Sequence, residues 1–101
     1  MKLTKEMCEE HFAALPIDFQ RWIVAVTVEY DSAVKQHPEW PEDLIHKAAI
    51  VAEESGELIQ AALQYQYEKG RYYQMHKEAT QTAAMCFRFL LNTPELPFNH
   101  D

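Results

Sequence analysis

A chain of 101 residues is long enough for one compact domain and too short for two. About half of the residues are apolar or aromatic, and two glycines and five prolines fit a helix-rich globular chain, which excludes disordered and collagen-like classes. The formal charge of -7 repels phosphate backbones and leaves no basic stripe, so nucleic acid is not an expected partner, whereas divalent cations are attracted to such a surface.

The opening MKLTKEMCEE lacks the continuous apolar segment of a signal peptide, and no stretch approaches the length of a bilayer span. A cytoplasmic chain without membrane contact is expected. Cys8 and Cys86 show neither CxxC spacing nor a secretory context, so both are expected to be reduced, with Cys86 serving as a small buried apolar residue.

Residues 4–14 predict a short amphipathic helix that ends before Pro16. Asp18 is positioned as the N-cap of a second helix, in which Phe19, Trp22, Ile23, Val26, Tyr30, Ala33 and Val34 recur on one face. That stripe reads as core, in preference to a base-stacking role for Trp22. QHPEWPED is the clearest break in the chain, and Pro41 suits the first turn of a third helix with Glu42 and Asp43 near its positive end.

The third helix is expected over about 42–68, its apolar face made by Leu44, Ile45, Ala48, Val51, Ala52, Leu58, Ile59, Ala62 and Leu63. Gly70 stands where a helix C-terminus needs it, and periodicity resumes from Arg71 to about Asn92, which predicts an antiparallel helical hairpin. Residues 93–101 form a proline-punctuated tail. No segment alternates as a strand would, so the expectation is a single all-α domain over 1–101. Its architecture is a bundle of four to five helices around a central hairpin at about 41–92.

Within that hairpin the charges are not scattered. Glu54 and Glu57 fall on adjacent turns of one strip with Lys47, Ile50 and Ala61, while Glu53 points further round. On the fourth helix Glu78 and Gln81 share a strip with Gln74, Met85 and Arg88, beside an apolar arc of Met75, Ala79, Cys86, Phe89 and Leu90. Brought face to face, three carboxylates and an amide oxygen make an oxygen-only site, which suits Mg²⁺ or Mn²⁺ better than Zn²⁺. Gly56 costs its helix about 1 kcal/mol relative to alanine and is expected to admit a close backbone or ligand. The plain alternative for Glu53, Glu54 and Glu57 is a solvated helix face.

Glu54-Ser-Gly-Glu57 followed by Glu78-Ala-Thr-Gln81, within KAAIVAEESGELIQAAL and HKEATQTAAMCFRFL, resembles the central hairpin of the MazG-like all-α nucleoside triphosphate pyrophosphohydrolases. The family signature is Glu-x-x-Glu on one helix and Glu-x-x-Asp on the next, so Gln81 departs from it, bringing a carbonyl oxygen but one negative charge fewer. The resemblance implies cleavage of a nucleoside triphosphate to monophosphate and pyrophosphate, with Mg²⁺ bridging carboxylates and phosphates. It further implies metal ligation by Glu54, Glu57 and Glu78, with Gln81 a weak or outer ligand and Glu53 a candidate to orient or deprotonate water.

In this reading Lys47, Arg71, Lys77 and Arg88 are candidates for phosphate contacts, Arg88 foremost because it shares the Glu78 strip. For Lys47, Lys77 and Arg71 the ordinary alternative is solvated surface charge. Tyr72 and Tyr73, near the hairpin turn, are candidates to stack on a base or, more ordinarily, to cap the helix end.

The five histidines at 11, 37, 46, 76 and 100 lack ligand spacing, and no Ser/His/Asp set or glycine-rich phosphate loop is present. The helices carry more apolar surface than one small bundle hides, and the resemblance also implies assembly, so a homodimer or higher homo-oligomer is expected. Two alternatives to the hydrolase stand beside it: a non-catalytic relative that binds nucleotide, with turnover removed by Gln81, and a helical adaptor whose acidic face serves solubility.

Overall fold

The computed structural model describes residues 1–98, which form four α-helices and no strand: α1 Lys5–Ala14, α2 Ile17–Gln36, α3 Leu44–Tyr67 and α4 Tyr72–Leu91. The all-α expectation holds. The last three residues of the 93–101 tail, with His100 among them, lie outside the described residues.

The helix boundaries follow local chemistry. The Thr4 hydroxyl accepts from the Met7 N–H at 3.2 Å, and the Asp43 carboxylate accepts from the His46 N–H at 2.8 Å, so each satisfies a donor that the first turn leaves open. Two sequence expectations shift here. Asp18 is not a cap: α2 starts at Ile17 behind Pro16, whose fixed φ already suits a helix entry, and Asp18 pairs instead with Arg21 at 3.0 Å one turn on. Pro41 lies ahead of α3, because Asp43 takes the capping position.

The α3–α4 turn also differs in detail. Lys69, with φ 57°, holds the left-handed position that ends α3, while Gly70 is needed for space. The Gly70 N–H donates to the Gln64 carbonyl at 2.8 Å, and a Cβ on Gly70 would lie 2.8 Å from the Gln64 carbonyl carbon. The chain reverses there, and the helices run antiparallel: Tyr65 meets Tyr72 at the closed end, with ring centroids 5.0 Å apart, and Lys47 reaches Asn92 at the open end.

Helix α4 is the centre of the fold, with α3 packed along one side and α2 along another, and no comparable packing joins α2 to α3. Helix α1 stands apart. Its hold on α2 is the Gln20 side-chain amide, which donates to the Phe12 and Leu15 carbonyls, and none of its residues is buried.

This arrangement leaves the core small. Among the described residues the buried apolar side chains are Ala61, Ala84 and Met85. On α3, Val51, Leu58 and Ala62 are half-buried, but Ile45 is 80% exposed and Ile59 62% exposed. Much of the stripe that reads as core in the sequence therefore faces solvent in a single chain. Helix α2 behaves likewise: Ile23, Val26 and Tyr30 are half-buried, whereas Phe19 and Trp22 are exposed. Cys86, expected in the core, is exposed, as is Cys8, and both thiols are free. The reason is common to all of these: a periodic stripe fixes which face is apolar, but a third neighbour to cover it is missing within this chain. No helix among the described residues is long and apolar enough to cross a membrane.

Candidate metal centre

The antiparallel hairpin sets Glu54 and Glu57, one turn apart on α3, against Glu78 on α4. One carboxylate oxygen from each lies within 4.8 Å of the others. No ion pair neutralises them: among the described residues the ion pairs are Lys5 with Glu9 and Arg21 with Asp18, both on the surface. Two of the oxygens, Glu54 Oε2 and Glu78 Oε2, are buried and have no hydrogen-bond partner.

Such crowding shows in the acidities. Burial raises the Glu54 pKa above its ordinary value, and the Glu57 and Glu78 carboxylates, then hydrogen bonding with Glu57 and the charge of Glu53, push it the same way. Glu78 is raised by burial first and by Glu57 second, against a lowering influence from Lys77. An anionic cluster held in this way either takes up a proton or takes up a cation. Three close carboxylates, two with orphaned oxygens, fit a hard divalent ion such as Mg²⁺ or Mn²⁺ by ligand type and charge. The described residues bring no histidine or cysteine into this group.

A cleft of about 390 Å³ opens beside the carboxylates, between α2 and α3 and floored by α4. Glu54, Gln81, Met85 and Arg88 border it from the hairpin, Glu29 and Gln36 from α2, and Trp40 from the connector. Gln81 thus stands at the same opening as Glu54, one turn beyond Glu78. Glu53 is exposed and outside the three-carboxylate group, and it acts on Glu54 through charge alone.

The basic candidates separate into three cases. Arg88 is 4% exposed, donates to the His37 carbonyl at 2.5 Å and the Glu39 carbonyl at 3.4 Å, and lies 4.6 Å from the centre of the Trp40 ring. It borders the cleft, yet its donors bind the connector together. Lys47 is buried, not surface charge, and its Nζ donates to the Asn92 carbonyl at 2.9 Å, where the negative end of α4 favours a cation. Lys77 and Arg71 are exposed and line no part of the cleft.

Tyr72 and Tyr73 also lie away from the opening. Tyr72 packs edge-on against Tyr65 and His76, and the Tyr73 hydroxyl accepts from the Gln74 amide, so both serve the hairpin end. Beyond its own stretch of helix, nothing in the chain lies within 4 Å of where a Cβ on Gly56 would stand, so no other segment makes the close approach expected there.

Trp40 is the feature that the sequence reading passed over. Its indole N–H is buried at the cleft without a hydrogen-bond partner. The available signal was a large aromatic between Pro38 and Pro41, in a connector too short to hide it anywhere but against the hairpin. Comparison with protein-family models, curated proteins and solved structures returned no match for this chain.

Proposed function

We propose that this chain is a Mg²⁺-dependent nucleotide pyrophosphohydrolase of the MazG-like type, Mn²⁺ being a substitute, and that it works as a homo-oligomeric helical bundle. The observation that carries the reading is the meeting of Glu54, Glu57 and Glu78 beside an open cleft, with two buried carboxylate oxygens lacking partners. The reaction is hydrolysis: water adds at the α-phosphorus of a nucleoside triphosphate, the bond to the bridging oxygen breaks, and a monophosphate and pyrophosphate leave. Mg²⁺ held by the three carboxylates supplies phosphate neutralisation and a more acidic water.

The protein's own part is positioning. Glu54 and Glu57 are held one turn apart by a continuous helix, and Glu78 is set against them by the hairpin, so the ligands are arranged before any substrate arrives. Gln81 offers a neutral carbonyl at the mouth of the cleft, and Glu53, beside the group and exposed to water, is the side chain to accept a proton. A triphosphate brings further negative charge to an acidic chain, so its binding depends on the cation more than on Lys77 or Arg71.

The test is pyrophosphate release from a panel of nucleoside triphosphates with protein and Mg²⁺. Glu57→Gln should abolish it. Absence of pyrophosphate from every member of the panel refutes hydrolysis.

A second reading rests on Gln81 at the cleft: the site binds metal and nucleotide without turnover, because the expected fourth carboxylate is missing. It predicts a raised melting temperature with Mg²⁺ and nucleotide, no pyrophosphate, and turnover restored by Gln81→Asp.

A further inference from the structure

The cleft beside the carboxylates has two ends of different chemistry. Helix α2 runs in the same direction as α4, since Trp22 meets His76 near the start of both helices, and His37, just past the end of α2, meets Arg88 near the end of α4. That register puts Glu54 and Gln81 toward one end of the lining, Ile50 and Met85 in the middle, and Trp40 and Arg88 at the far end. Gln81 and Arg88 are two turns apart on α4, about 10 Å at the helical rise. A nucleoside whose phosphates are held at the carboxylates spans that length and brings its base to Trp40.

The far end offers a ligand one fixed donor. The Arg88 guanidinium is taken by the His37 and Glu39 carbonyls, and the His37 side chain is exposed to solvent. The Trp40 indole N–H, by contrast, is buried and unmatched, with Arg88 stacked on its ring. The acceptors beside it are the Glu39 carboxylate and Gln36, whose amide nitrogen is turned to the Ser32 hydroxyl at 3.4 Å and whose carbonyl oxygen is left over. Trp40 belongs to the connector between α2 and α3, outside every helix, so a slight slide of the ring in its own plane brings its N–H to a ligand.

We propose that the Trp40 end of the cleft is a base subsite that selects an amino-substituted base, cytosine or adenine, over its oxo counterpart, uracil or hypoxanthine. The proposal rests on the nucleotide reading above. Cytosine and adenine each present an unprotonated ring nitrogen beside an exocyclic amino group. The Trp40 N–H donates to that nitrogen, and the amino group donates to Glu39 or Gln36. Uracil and hypoxanthine invert both contacts: their ring nitrogen carries a proton that meets the indole N–H, and their oxygen meets the carboxylate. With the phosphates fixed at the metal end, the base cannot turn end for end to escape this. A phosphate tail is turned away from the subsite, because it would face Glu39 with Arg88 already committed.

The experiment titrates the full chain, in Mg²⁺, with the α,β-methylene analogues of cytidine, uridine, adenosine and inosine triphosphates, which cannot be cleaved at the bond in question. Each amino member should bind at least about tenfold more tightly than its oxo partner. Trp40→Phe, which keeps a ring against Arg88, should shrink that ratio by at least about threefold, with the affinity for tripolyphosphate, which has no base, unmoved. Equal affinities within either pair overturn the proposal, as does a ratio that Trp40→Phe leaves unchanged, and the first comparison stands even if that variant fails to fold. Hydrolysis is read separately, as pyrophosphate from the triphosphates themselves. A preference for the amino members without pyrophosphate refutes turnover and keeps the base subsite, whereas equal kcat/KM for CTP and UTP refutes the subsite and keeps turnover. Absence of binding by all four analogues overturns the proposal, and with no pyrophosphate it overturns the nucleotide reading as well.

Discussion

Glu54 and Glu78 approach from helices that run in opposite directions, and each carries a buried Oε2 with no hydrogen-bond donor. Burial first, and the neighbouring Glu57 second, raise the pKa of both in the same sense. The arrangement disfavours full ionisation of the pair.

A pH dependence follows. A carboxylate whose pKa rises on folding contributes stability that is fully present below its unfolded value, near 4.5, and lost as pH rises through the raised folded value. In the presence of a chelator, Glu78→Gln should therefore melt a few degrees above the native chain at neutral pH, and the gap should close below that window. Thermal melts of both proteins across the range check this. A gap that is constant with pH contradicts it.

Arg88 is expected to matter to folding before it matters to substrate. Its guanidinium is buried against Trp40 and donates to two backbone carbonyls of the connector. Arg88→Ala should cost about 3 kcal/mol in urea denaturation, because those carbonyls and the buried ring lose their partner. Arg88→Lys should recover little, as one ammonium cannot both lie flat on an indole and reach both carbonyls. Native stability in Arg88→Ala, with only KM altered, would return Arg88 to the role of phosphate ligand.

The hairpin turn offers a cleaner case. A methyl on Gly70 meets the backbone of Gln64 and Tyr65, which cannot move without disturbing the last turn of α3. Gly70→Ala should destabilise by about 1 to 3 kcal/mol. Lys69→Gly, relieving a left-handed residue with a side chain, should stabilise by about 1 kcal/mol. Equal and small effects from both would mean that the turn adapts.

What the sequence makes legible is local. Spacing alone places Glu54, Glu57 and Glu78 on facing strips, and the hairpin between α3 and α4 follows from Gly70 and the resumed periodicity after it. What it hides depends on neighbours. Lys47 reads as surface charge, but the open end of the hairpin brings the α4 terminus over it and gives its ammonium the Asn92 carbonyl. Cys86, Ile59 and Leu90 read as core because they are apolar and in register, yet register does not say whether anything stands opposite. Trp40 is invisible to periodicity because it belongs to no helix, and its place at the cleft depends on Arg88, nearly fifty residues away along the chain.

The most direct test of the account is calorimetric titration of Mg²⁺, with Mn²⁺ in parallel, into the chelator-treated native chain and into Glu57→Gln, Glu78→Gln and Glu53→Gln. Saturable binding is expected in the native chain and in Glu53→Gln, and its loss in the other two. Failure of the native chain to bind either ion, or binding that Glu57→Gln leaves unchanged, would contradict a metal centre built from these three carboxylates.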